Sequence, residues 1–418
     1  MTKADANEGM TRRTCLVAGS ALPLAGAALG AAAHGREEFP PRLSARDAFP
    51  GIRPGYLNSG SVHPVSAGAR QRVADYLASR AMGGESDYDI AAARRTVMER
   101  FARLINADTG ELAYIQSTSA GEQMAVAALG LPEPGARVVT DALHFFGSFH
   151  LYSELEKAGV EVVVVRPHDN RIQLEDMAAA IDDRTRLVSV SAIATTNGFQ
   201  HDLAALADIA HAHGAKLFVD AIHAIGSVPF DVKAAGIDMM STASYKWLMG
   251  DMGLGFMYAR ADLIPELARP QAGYFQLAGI SSHVFPYEEP HERAYQTRAR
   301  DDATGLFAMG TYSNTGVAHL DYSLDFLLEL GVENIQARRQ PLIERVREEF
   351  TARGFQPLTP EDSTGPLIAF AFENARARLG PKLRDAGVEI SLSQHRFRIS
   401  PSVFNTMDDI EMLLEALA

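Results

Sequence analysis

The chain has 418 residues, 47% of them hydrophobic and 22% charged, with a formal net charge of -13. That size and balance suit one large or two moderate globular domains, and the acidity argues against binding a nucleic-acid backbone. No apolar run beyond the N-terminus is long enough to span a membrane.

In chain order, residues 1–33 read as an export signal. Arg12-Arg13 precede an apolar run rich in Ala, Gly and Leu, which closes on Ala31-Ala32-Ala33. This is the pattern of a twin-arginine signal cut before His34, and it predicts a periplasmic or other extracytoplasmic protein; without it the chain would be cytoplasmic. The single cysteine, Cys15, falls inside the signal. The remaining chain then has no disulfide, no thiol nucleophile and no thiolate metal site. Residues 36–55 are proline-rich and read as a surface-hugging leading segment. "YLNSGS", Tyr56 to Ser61, reads as a short strand ending in a polar turn.

Residues 64–105 have the apolar spacing of helices. After them, "RVVTDA", "EVVVVRP", "RLVSVSAIA", "KLFVDAI" and "IDMMSTAS" are short apolar or β-branched runs, and helical stretches separate most of them. Apolar strands alternating with helices predict an α/β fold with a mainly parallel sheet covered on both faces. "GLGFMYAR" follows too closely for a helical crossover and predicts an antiparallel addition to that sheet. Residues 270–309 have weak periodicity and read as a long functional loop region. From about 314 a helix, "PLIAFAF", "GVEISLSQ", "FRISPSV" and the final helix "TMDDIEMLLEALA" predict a smaller α+β unit.

Chemistry is expected beyond the carboxyl ends of the parallel strands. Ser117, Thr118, Ser119 and Gly121 precede a helix, where backbone N–H groups and hydroxyls can cradle an anion, although such residues usually only cap a helix. Asp220 ends an apolar strand, with His223 three residues on; a buried carboxylate needs a cationic or N–H partner, whether structural or functional. Lys246 is one of six lysines and is flanked by Tyr245 and the sole tryptophan, Trp247. Desolvation lowers an amine pKa and favours Schiff-base chemistry. One cofactor uses all three features: the phosphate, pyridine nitrogen and aldehyde of pyridoxal 5'-phosphate (PLP).

"YLNSGS", "STSAGE", "VDAIHAIG", "SYKWLMGDMGLGF", "GTYSNTG" and "RISPSVFNT" occur in order over residues 54–418. On these motifs the chain resembles the class V aminotransferase family of fold-type I PLP enzymes, which includes cysteine desulfurases, kynureninase and isopenicillin N epimerase. The resemblance implies a large PLP-binding domain over 65–309 with a seven-stranded, mainly parallel sheet. It also implies a small C-terminal domain over 310–418, which residues 34–64 join. Lys246 would be the Schiff-base lysine, acting as acid-base shuttle on a quinonoid. Asp220 would pair with the pyridinium and His223 with the ring hydroxyl. Thr118, Ser119 and Tyr245 would hold the phosphate, with Thr311 reaching it from the other subunit of a homodimer with shared sites. Either His144 or Phe145 would stack on the ring. Arg398 would clamp a substrate carboxylate, and Asn58 would lie in a turn near the substrate.

The sequence departs from the family pattern in three ways. Thr195 replaces the usual asparagine that contacts the ring. Asp251 stands where relatives often have proline. The desulfurase cysteine is absent from "SLSQHRF" ahead of Arg398. The expected function is an exported PLP enzyme acting on an amino acid or a peptide-borne amine, as in siderophore maturation, with epimerase-like or lyase-like chemistry. An aminotransferase or C–S lyase is the alternative, and a non-catalytic PLP-binding protein is the alternative of a different class.

Overall fold

The computed structural model describes residues 45–83 and 88–418. The predicted export signal, with Arg12-Arg13 and Cys15, lies outside the described residues. The centre is a seven-stranded sheet of β1 (Leu112–Ile115), β2 (Arg137–Asp141), β3 (Glu161–Val165), β4 (Thr185–Ser191), β5 (Lys216–Asp220), β6 (Met239–Ala243) and β7 (Gly255–Ala259). Their order is β1-β7-β6-β5-β4-β2-β3. The pairs among β2 to β6 are parallel. β7 runs antiparallel to both β6 and β1, as its short connection requires.

Burial explains why these runs became strands. Every residue of β6 and β7 is buried. In β5, Leu217, Phe218 and Val219 have no exposed surface, and each such side chain contributes about 1.5–3 kcal/mol when removed from water. Helices fill the crossovers. Leu203–Ala212, for example, starts where the Asp202 carboxylate accepts from the Ala205 N–H and then packs on β5.

The second sheet is antiparallel and follows the predicted C-terminal pattern. Ahead of it in the chain come a hairpin, β8 (Leu277–Ser282) and β9 (Tyr295–Ala299), and two long helices, Asn314–Leu330 and Val332–Ala352. The sheet itself comprises β10 (Gln356–Pro357), β11 (Ile368–Ala371), β12 (Ser391–Leu392) and β13 (Arg396–Ile399), in the order β10-β11-β13-β12. Phe350, Phe355, Phe370 and Phe397 form one ring cluster beneath it. Tyr56 and Asn58 form single bridges to Glu389 and Ser400, which ties the N-terminal segment to β13 and to the chain ahead of β12.

Two local expectations change. "YLNSGS" forms isolated bridges instead of a strand, because Tyr56 pairs with Glu389 and Asn58 with Ser400, two different chain segments, so no continuous ladder forms. The 270–309 region holds the β8–β9 hairpin and a short helix, Ala303–Phe307. Its strands are mostly exposed on both faces, so they lack the alternation of apolar and polar residues that reveals a strand in sequence.

Candidate active site

The parallel register sets Ser191 and Asp220, at the ends of β4 and β5, beside Ser241 in the middle of β6. Asp220 is 5% exposed and accepts from the Ile222 N–H at 3.0 Å. Among the described residues, no cation lies within ion-pair distance of it. Burial raises its pKa, offset in part by His144, the Ile222 N–H and Lys246. This is a carboxylate held ready for a cation that the described residues do not supply.

Lys246 comes three residues after β6. Its Nζ lies 3.0 Å from His223 Nε2 and 5.8 Å from the Tyr245 ring centroid. Burial pushes the amine down to about 8; Asp220 opposes that shift and Arg398 adds to it. His223 has a fixed tautomer. Trp247 Nε1 can only donate, and it meets His223 Nδ1 at 3.2 Å, so Nδ1 accepts and the proton of the neutral ring sits on Nε2. Burial, then Lys246 and Arg398, hold this imidazole neutral by pushing its pKa well below the usual value. Trp247 is buried at the strand end and also orients the histidine. Gly226, at φ +84°, lets the turn after His223 pass the Trp247 carbonyl, which a Cβ would meet at 2.4 Å.

Thr195, the departure from the family asparagine, joins two site residues. Its hydroxyl lies 3.0 Å from His223 Nε2 and accepts from an Arg398 terminal nitrogen at 2.8 Å. The other terminal nitrogen of Arg398 donates to Ser61 Oγ at 3.0 Å, and Ser61 donates to Asn58 Oδ1 at 2.8 Å. Arg398 Nε is buried without a partner. Burial, with Arg396 nearby, lowers the guanidinium to about 10. A buried arginine with an open nitrogen and no carboxylate is suited to an anionic ligand.

The predicted anion cradle is the start of helix Thr118–Ala128. Ser117 caps it by accepting from the Ala120 N–H, and Thr118 Oγ1 is buried without a partner. Ser119 is exposed on the first turn. Gly121 allows the helix to press against β6; a Cβ there would come 2.4 Å from Ser241 Cβ. Ser241 Oγ then donates to the Thr118 carbonyl at 3.0 Å. Tyr245 is half-buried beside the lysine, and burial and Asp220 push its hydroxyl pKa up.

His144 is 2% exposed, whereas Phe145 is half-buried against Phe146. His144 Nδ1 lies 2.8 Å from Ser191 Oγ, and Nε2 lies 3.1 Å from Glu122 Oε1. Glu122 was not foreseen, although the sequence held a signal. It shares one helix face with the buried Ala125 and Val126, where an acid is out of place. Thr311 is exposed before helix Asn314–Leu330, and the bonds described above do not include it. Asp251 now has a local role: Oδ1 accepts from the Met252 N–H at 2.8 Å and its carbonyl accepts from Ser244 Oγ, closing the turn that follows Lys246.

The sequence model described as Aminotransferase class-V matches residues 65–413. The chain belongs to that family. An isopenicillin N epimerase from Streptomyces clavuligerus is 27% identical over 384 residues, covering 86% of this chain and 93% of its own. A cysteine desulfurase from Haloferax volcanii is 25% identical over 343 residues, 76% and 77% of the two chains. Among solved structures, the Escherichia coli cysteine desulfurase CsdA aligns with TM-score 0.78 at 20% identity, covering 89% and 96%. The cystine C–S lyase C-DES with cysteine persulfide aligns at 0.74 and 18%, covering 88% and 98%. These likenesses agree with the fold-type I architecture and with a PLP-dependent class V enzyme. The orphaned Thr118 hydroxyl at a helix start, the unpaired acid Asp220 and the desolvated amine of Lys246 fit the phosphate, ring nitrogen and aldehyde of that cofactor.

Proposed function

We propose that this class V enzyme acts on the α-carbon of an amino acid, free or carried on a peptide, by epimerase-like or lyase-like chemistry. The observation that carries this reading is Arg398, buried with an open Nε and joined through Thr195 to the His223–Lys246 pair. PLP, when bound, supplies an electron sink for the carbon beside the substrate amine. Asp220 would hold a proton on the ring nitrogen. His223 would donate from Nε2, the tautomer that Trp247 imposes. The helix start, Thr118, Ser119 and Tyr245 would hold the phosphate. Arg398 would bind the substrate carboxylate with Asn58 and Ser61 behind it. Lys246 Nζ, with its pKa pushed down to about 8, exchanges protons near neutral pH and so suits an acid-base role.

The likeness to isopenicillin N epimerase agrees with the epimerase-like side, and likenesses to cysteine desulfurases over similar shares agree equally with the lyase-like side. A C–S lyase or an aminotransferase needs the same residues, and the C-DES likeness is one of fold. Persulfide chemistry on the chain's own thiol is disfavoured. The β12–β13 connection is a tight turn, closed by Ser393 N–H to the Arg396 carbonyl at 2.8 Å, and has no cysteine. A non-catalytic PLP carrier would not need both Lys246 and Arg398 in place. The reading includes a homodimer in which Thr311 of one subunit completes the other's phosphate site. It also includes export through the twin-arginine route, which carries folded, cofactor-loaded proteins.

The test is an amino-acid panel. The protein with PLP should show a visible band that Lys246→Ala loses, and one amino-acid class should shift that band. Loss of optical rotation identifies an epimerase, sulfide with a keto acid a lyase, and amino transfer to a keto acid an aminotransferase. A band unchanged in Lys246→Ala overturns the assignment. Export that persists after Arg12-Arg13 become Lys-Lys overturns the twin-arginine reading.

A further inference from the structure

Glu122 is 3% exposed and its carboxylate is enclosed by donors: Ser148 Oγ and Tyr152 Oη at 2.5 Å, Ser189 Oγ at 3.0 Å and His144 Nε2 at 3.1 Å. Among the described residues, His144 is the one cation-forming group within ion-pair distance of it. A buried carboxylate with hydroxyl partners and no counter-charge carries a large desolvation cost. His144 can supply the charge without leaving a donor unmet, because its second nitrogen faces the Ser191 hydroxyl, which can accept.

We propose that Glu122 is a positioning residue that keeps His144 as a buried imidazolium against the face of the cofactor ring. The placement against the ring rests on the PLP reading above; the charge state does not. The groups facing His144 agree. Glu122 contacts it from helix Thr118–Ala128. Asp220 on β5 and Asp141 on β2 both favour its protonated form, and Tyr152 lies with its ring 6.2 Å away. Asp141 already has His201 at 3.1 Å, and Asp220 would be paired with the ring nitrogen. Burial alone would favour the neutral imidazole; Glu122, with Asp220 and Asp141 behind it, outweighs burial and raises the His144 pKa, while Glu122 itself is held down to about 2. A fixed positive charge against the ring would stabilise the negative charge that the ring takes up as an electron sink, a task that a neutral stacking side chain leaves undone.

The decisive measurement is nitrogen NMR on histidine-labelled full-length protein without cofactor, with the His144 signals assigned by His144→Asn. Both ring nitrogens should keep imidazolium shifts from pH 6 to 8.5, and Glu122→Gln should move them to neutral values while Glu122→Asp restores them. Neutral shifts in the wild-type protein at pH 7 overturn the proposal, even if the variants fail to fold. Adding PLP should then perturb the His144 signals. If a visible band forms with those signals unmoved, the placement against the ring is overturned. If no band forms, the PLP reading fails separately and the charge state still stands or falls on the cofactor-free spectra.

Discussion

Replacing Lys246 with methionine should make stability depend less on pH, in a direction that the structure sets. The amine falls from its ordinary 10.5 to about 8 because it is buried. Below pH 8 both the folded and unfolded chains hold the proton, and the folded state bears the full desolvation penalty. Between pH 8 and 10.5 the folded chain releases the proton first, so the unfolded state binds more protons and stability rises with pH. Linkage gives a penalty of about 3 kcal/mol at pH 7 and about 1.4 kcal/mol at pH 9.5. Lys246→Met removes the group, so the wild type should gain about 2 kcal/mol relative to the variant over that range. The assay is denaturant unfolding of both cofactor-free proteins at the two pH values, taken as a difference of differences so that other titrating groups cancel. His223 stays neutral throughout, since its pKa is already low. A wild-type-minus-variant difference that is flat with pH would show that the amine is not desolvated, and the argument for a lysine made reactive by burial would fail.

Three further outcomes follow from named contacts. Arg398→Lys keeps the charge but loses the planar fork, so substrate affinity should fall about 10- to 100-fold while the cofactor band stays in place, measured by substrate titration of that band. Trp247→Phe keeps a ring in the pocket but leaves His223 Nδ1 without its donor. It should cost about 1–3 kcal/mol in unfolding experiments and release the histidine tautomer, read from its nitrogen shifts. Gly121→Ala drives a Cβ to within 2.4 Å of Ser241 Cβ. It should destabilise the protein by about 1–3 kcal/mol and weaken phosphate binding at the helix start, whereas Gly110→Ala, with nothing within 4 Å, should do neither.

Much of the fold was legible because its cause is local. The runs that became β2 to β6 are short, apolar and β-branched; in β4, β5 and β6 burial on both faces leaves that composition no other use, while β3 at the sheet edge is only partly buried. β7 could be read as antiparallel from the length of its connection alone. The β8–β9 hairpin was missed because its exposed faces impose no pattern, and the two-residue β10 because so short a pairing carries none.

Sequence by itself determined which chemistry the site can hold. A lysine between aromatic residues, an acid at a strand end and hydroxyls before a helix are recognisable because each is costly or unusual where it stands. What only the tertiary structure decided is how these groups act on one another. Nothing in the chain order brings Trp247 to His223 Nδ1, Thr195 between His223 and Arg398, or Glu122 to His144. Those pairs are set by strand register and by the close approach of helix to sheet at Gly121, which are contacts between distant parts of the chain. Charge state and tautomer follow from burial and from partners, so they become readable only once the chain has folded.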